Sequence, residues 1–214
     1  MDGRMNHRIA LILATALLGG CGGGTQLPQS LAMPAYSPSW RERVSDNDRD
    51  RLRGWRSNFA KGVAAARRAG HSVEIDREGA LLDPDSALAE PAIPDGHYRC
   101  RVTKLGAQSD GMLDYVAYPA FTCVVGRDGS LQRLDKISGS QRYVGLIFPG
   151  DAVRQVFLGT LVLGDETRAM QYEQDETRNV AGHLERIGPQ RWRLVMPSPH
   201  FESLVDVMEL VPEQ

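Results

Sequence analysis

The strongest constraint on the fold is the rhythm of the chain after Pro94. Short segments alternate apolar and polar residues at every second position, and clusters of Gly, Asp, Pro and Asn separate them. A period of two puts successive side chains on opposite faces of a strand. The segments run His97 to Leu105, Asp114 to Val125, Leu131 to Ile137, Gln141 to Phe148, Arg154 to Leu163, Asn179 to Ile187, Arg191 to Pro197 and Leu204 to Val211, eight in all. Gly126-Arg127-Asp128-Gly129, Ser138-Gly139, Pro149-Gly150 and Gly188-Pro189 mark joints between them. Connections this short imply antiparallel neighbours, because a parallel pair needs a crossover of about a dozen residues or more. The expected fold is mainly β with an N-terminal helix: an eight-stranded antiparallel up-and-down barrel of lipocalin or avidin type, with a two-sheet β-sandwich as the alternative. Alternation sets Tyr98, Cys100 and Val102 against Arg99, Arg101 and Thr103, and Trp192, Leu194 and Met196 against Arg191, Arg193 and Val195. The second face is expected to meet water.

Upstream of the strands the period lengthens. Ser45-Asp46 opens a predicted helix whose apolar residues Leu52, Trp55, Phe59, Val63 and Ala66 recur at spacings of three and four, with Gly70 placed to end it. Asp46, Asp48 and Asp50 superficially resemble a calcium loop, but Arg51 stands where the glycine belongs and Ser57 where the closing acid belongs. They read as acids at a helix start. Asp83-Pro84-Asp85 predicts a cap and first turn for a short helix through Ala87 and Leu88, stopped by Pro91 and Pro94.

The first residues have the charged, apolar, small order of an export signal. Arg4 and His7-Arg8 lead into the apolar run Ile9 to Leu18, about 10 residues and half of the roughly 20 that a spanning helix needs. Met1 and Met5 are both candidate starts. Leu18-Gly19-Gly20-Cys21 resembles the bacterial lipobox, which implies cleavage before Cys21 and lipid on its thiol. The expected organisation is then a signal peptide over residues 1–20, a lipidated, flexible Gly-, Pro- and Ser-rich tether over 21–39, a helical segment packing on the barrel over 40–95, and the barrel domain over 96–214. The expected location is the bacterial cell envelope, anchored in a membrane by lipid and facing the periplasm. Gly22, rather than Asp, after the cysteine is compatible with outer-membrane sorting. With Cys21 taken by lipid, Cys100 and Cys123 can form only one disulfide, and an exported protein is free to oxidise them. Two buried free thiols and a metal site remain open readings, the latter weakened by the lack of nearby histidines.

Chemistry-bearing motifs are sparse. The 25 basic and 27 acidic residues nearly cancel, so no basic surface points to nucleic acid. His71, His97, His183 and His200 are isolated in sequence, and no HExxH, GxSxG, phosphate loop or dinucleotide fingerprint occurs. No cofactor, metal or catalytic residue is therefore assigned, and the reading leans away from an enzyme. Gly164-Asp165-Glu166-Thr167 and Gln174-Asp175-Glu176-Thr177 offer carboxylates for acid–base work or calcium, with a solvated loop as the plainer reading. The candidate ligand set is Tyr98, Arg101, Tyr118, Arg142, Tyr143 and Trp192, because ligand-binding interiors mix apolar walls with a few fixed polar groups. Ordinary core with exposed arginines is the competing account of the same residues.

The stretches Leu81-Leu82-Asp83-Pro84-Asp85, Tyr98-Arg99-Cys100-Arg101, Gly139-Ser140-Gln141-Arg142, Val156-Phe157-Leu158-Gly159-Thr160 and Glu185-Arg186-Ile187-Gly188 resemble a family of bacterial proteins catalogued as domain of unknown function 4893. The resemblance runs from about Trp40 to Pro212. It implies exported proteins of this size without an assigned activity, and so transfers no catalytic residue. The functional expectation is a noncatalytic, lipid-anchored envelope protein whose barrel binds a small or amphiphilic ligand. The alternatives are a module that docks an envelope protein or peptidoglycan, and thirdly a hydrolase using the acidic loop residues.

Overall fold

A computed structural model describes residues 39–213. The expected leader, Cys21 and tether lie outside the described residues. Among the described residues nine strands follow one another: β1 (Gly96–Ala107), β2 (Tyr115–Ala117), β3 (Phe121–Asp128), β4 (Leu131–Lys136), β5 (Gln141–Phe148), β6 (Gln155–Leu163), β7 (Asn179–Gly188), β8 (Arg191–Pro197) and β9 (Ser203–Pro212). Every neighbour is antiparallel, and β9 pairs back onto β1 from Tyr98↔Pro212 to Ala107↔Ser203. The sheet is a closed eight-strand barrel, not a sandwich, with β2 as an extra short strand. Closure removes the free edges that invite pairing with other chains.

The alternation from Asp114 to Val125 predicts one strand where β2 and β3 stand, and the ladder shows why they part. Cys100 faces Phe121 while Thr103 faces Ala117, so three steps along β1 are matched by four on the opposing chain. The extra residue falls at Tyr118-Pro119-Ala120, where Pro119 has no N–H to give the ladder.

The in-facing residues of all eight strands fill the interior, among them Tyr98, Cys100, Leu134, Phe157, Leu184, Trp192, Leu194 and Met208, each buried. Cys100 and Cys123 are disulfide-bonded across β1 and β3, with Cα atoms 5.9 Å apart. Of the readings left open for these cysteines, the disulfide is the one the structure takes. At the end where β1 begins, the rings of Tyr98 and Trp192 meet edge to face at 6.2 Å, and the Tyr98 hydroxyl donates to the Pro94 carbonyl at 2.6 Å. That end is packed shut. Deeper in, Gly145 and Gly159 face each other across β5 and β6, and a Cβ on either would stand 2.7 Å from the Phe157 ring. Absence of side chains there is what admits the ring.

Helices lie on the outer wall. The predicted single helix is broken at Gly54 into α1 (Asp46–Arg53), capped by the Ser45 side chain, and α2 (Trp55–Arg68), and its stripe Leu52, Phe59 and Ala66 is buried. A third helix, α3 (Ser72–Glu78), was not foreseen, since its seven residues bury a single apolar side chain, Ile75. The helix predicted from Asp83-Pro84-Asp85 is absent. There Asp83 accepts from the Asp85 amide and the Ser86 hydroxyl, a local turn that competes with helix. α2, α3 and the turn after them cover β8 and β9, packing Phe59, Ile75 and Leu81 on Val195, Val205 and Val207. The expectation of a wet second face therefore fails at Thr103, Arg193 and Val195, which are all buried. Further round, Val44 and Leu52 pack on Phe148, Val156 and Leu158. No helix among the described residues is long and apolar enough to cross a membrane.

Candidate functional site

The other end of the barrel is open. β1, β4, β6 and β8 finish there, and β3, β5, β7 and β9 begin there. A recess of about 290 Å³ enters at this mouth, walled by Val102, Phe121, Tyr118 and Tyr143, with Lys104, Lys136 and Gln141 among its polar groups. A second space of about 30 Å³, room for a water or two, adjoins it through the shared residues Lys104, Gln141 and Tyr143. Met112, Leu113, Ile137 and Phe201 lie exposed on the loops around the opening, Leu113 at 71%.

Charged side chains occupy in-facing positions where an apolar barrel would continue its core. Lys104 Nζ lies 2.7 Å from Asp206 Oδ2 and 3.1 Å from Glu202 Oε2. Tyr143 donates to Asp206 at 2.9 Å, and the Ser203 hydroxyl donates to the other oxygen of the same carboxylate. Burial works against the Lys104 ammonium, yet the Asp206 and Glu202 carboxylates prevail and hold its pKa above the ordinary value. Burial, then Asp206, pushes the Tyr143 phenol well up, so it remains a donor.

Lys136 differs. Its ammonium donates to the carbonyls of Ser138 and Gln141, both at 2.7 Å, and stands 3.6 Å from the centre of the Phe121 ring. Burial, reinforced by the like charges of Arg142 and Lys104, lowers its pKa to about 8. The turn between β4 and β5 is folded onto it. Gly139 has φ +86, and a Cβ there would lie 2.7 Å from the Phe121 ring and 2.8 Å from Lys136 Nζ, so glycine is required on both counts.

The six residues expected to bind ligand are dispersed. Tyr143 and Tyr118 line the mouth recess. Tyr98 and Trp192 form the packed end. Arg101 points outward, bridging Glu78 of α3 at 2.6 Å and Glu209 of β9 at 3.0 Å, and so ties a helix to the wall. Arg142 donates to the carbonyls of Gly139, Gly164 and Glu166, clamping the β4–β5 turn to the β6–β7 loop. The acidic pieces are engaged in loop structure: Glu166 accepts from the Leu163 amide and pairs with Arg178 at 3.1 Å, Asp175 accepts from Thr177, and Glu176 accepts from Asn47 of α1. No group of three or more potential metal ligands gathers among the described residues.

Lys104, Lys136, Phe121 and Asp206 escaped the sequence reading, although a signal for them existed. Lys104 continues the parity of Tyr98, Cys100 and Val102, Lys136 that of Leu134, and Asp206 that of Met208 and Leu210. A charge in phase with a core stripe is the mark of a polar site inside a barrel.

The family model described as Domain of unknown function (DUF4893) matches residues 40–210, which takes in the helices and nearly all of the barrel. No curated protein and no solved structure matches the chain.

Proposed function

The chain belongs to the family catalogued as domain of unknown function 4893, and on that footing we propose that it is a noncatalytic binding protein whose barrel mouth takes a small amphiphilic ligand. The observation that carries this is the recess of about 290 Å³, with apolar walls from Val102, Phe121 and Tyr118 and fixed polar groups from Lys104, Tyr143 and Gln141. Ligand sites are concave and mostly apolar, with a few placed polar groups that orient the occupant. The buried charges support the same reading. They lie at in-facing positions that a purely structural barrel fills with apolar side chains. With lipid on Cys21, the mouth would work beside a bacterial membrane on its periplasmic side.

Native mass spectrometry of the protein taken from its own membrane fraction tests this. The expected result is a small adduct, lost in Ser140→Trp, which puts a large side chain at the exposed rim of the recess without entering the core. A mass equal to the bare chain, in wild type and variant alike, counts against it. The exposed Met112, Leu113 and Phe201 favour a second reading, a module that docks another envelope component. A photo-cross-linker at Leu113 then traps one partner reproducibly in cells.

A further inference from the structure

We propose that the mouth recess is selective for amphiphiles with an anionic head, a carboxylate or a phosphate, and that Lys136 receives that head. The inference rests on the ligand-binding reading above and adds the chemistry of the ligand. Lys104 and Lys136 are the two buried lysines among the described residues, at 5% and 3% exposure, and both line the recess. Their charges are handled differently. Lys104 is answered by two carboxylates. For Lys136, no Asp or Glu among the described residues lies within ion-pair distance, and its contacts are two carbonyl oxygens and an aromatic face.

Those contacts orient the ammonium without cancelling its charge. A cation taken out of water lacks a counter-ion only at considerable cost, and the charges that act on it, Arg142 of β5 and Lys104 of β1, carry the same sign. A ligand carboxylate or phosphate supplies the missing charge and a strong acceptor for the N–H that the two carbonyls leave. Val102, Phe121 and Tyr118 offer the apolar wall along which an alkyl tail lies towards the exposed rim. The tight turn at Gly139 sets the ammonium in place beforehand, so little ordering is left for the moment of binding.

The titratable and charged groups around the recess are Lys104 of β1, Tyr118 beside β2, Arg142 and Tyr143 of β5, and Glu202 and Asp206 at the start of β9. Lys136 is the group brought to about 8. An anion bound to its protonated form is released as the pH rises past that value.

Calorimetric titration of the full chain with octanoate, octyl phosphate, octanol and octylammonium tests the inference. One or both anions should bind at least about tenfold tighter than octanol, with octylammonium the weakest, and the stronger anion names the head. Octanoate affinity should fall between pH 7 and 9.5. Lys136→Met should lose the preference for anions while still taking octanol with a folded circular-dichroism spectrum, and Lys136→Arg should keep it. Equal affinity for octanol and octanoate in the wild type, or an anion preference that survives in Lys136→Met, overturns the role of Lys136 and leaves the binding reading standing. No heat with any of the four overturns the binding reading itself.

Discussion

Arg193 sits on the outer wall of the barrel with no solvent exposure, held by Glu185 at 2.7 Å and by the carbonyls of Ala80, Leu81 and Asp83. Burial depresses its pKa, and Glu185 opposes that. Glu185→Gln leaves the guanidinium buried without its counter-charge and should cost about 3–5 kcal/mol in chemical denaturation, whereas the double replacement Glu185→Leu with Arg193→Met should cost less than the sum of the singles. The Cys100–Cys123 bridge spans 23 residues of sequence. On chain-entropy grounds its removal by Cys100→Ala with Cys123→Ala should destabilise by roughly 3 kcal/mol, and neither sulfur should react with an alkylating reagent before reduction and unfolding. At this scale a count was more legible than a parity, which separated the two faces but took for wet a face that the helices cover at Thr103, Arg193 and Val195. Two cysteines left one pairing, and Tyr143, named for the ligand set, lines the recess. Arg101 and Arg142 were misjudged because the ligand set joined residues of both faces: each alternates with a core neighbour, Cys100 or Tyr143, and so points away from the interior.

Among the elements, β5 and β6 depend on their paired glycines. A Cβ at Gly145 would come within 2.4 Å of the Leu158 carbonyl oxygen as well as the Phe157 ring, contacts with nowhere to relax. Gly145→Ala should therefore lower the urea midpoint by the equivalent of about 1–3 kcal/mol, with Phe157→Leu as a second-site change that restores part of it. The strands were readable nearly to the residue because alternation and turn residues both mark them. Gln141–Phe148 and Arg191–Pro197 have the expected bounds, while β2 and β3 part where Pro119 interrupts a run that otherwise alternates. The helices were read less well for a physical reason. Gly54 costs about 1 kcal/mol in a helix but does not by itself end one, and the seven residues of α3 acquire their order by packing on the barrel.

For the molecule as a whole, the docking of α1 onto the barrel links stability to pH. His183 of β7 is half-buried beneath it, and its Nε2 lies 3.1 Å from the Leu52 carbonyl of α1, which requires Nε2–H as donor. Burial holds its pKa below the ordinary 6.5. A base depressed on folding contributes stability that is fully present above about 6.5 and is lost as the pH falls through the folded value, because the unfolded chain takes the proton first. The denaturation midpoint should fall on acidification below pH 6.5, with a shallower slope in His183→Gln. The candidate site was the least legible part of the molecule, since Lys104, Lys136 and Asp206 come from three strands far apart in sequence and meet only once β9 has closed on β1. The packed end of the barrel, where Tyr98 and Trp192 meet, also bears on traffic. On the proposed binding role the barrel is then a cul-de-sac, and a ligand would enter and leave by the same door.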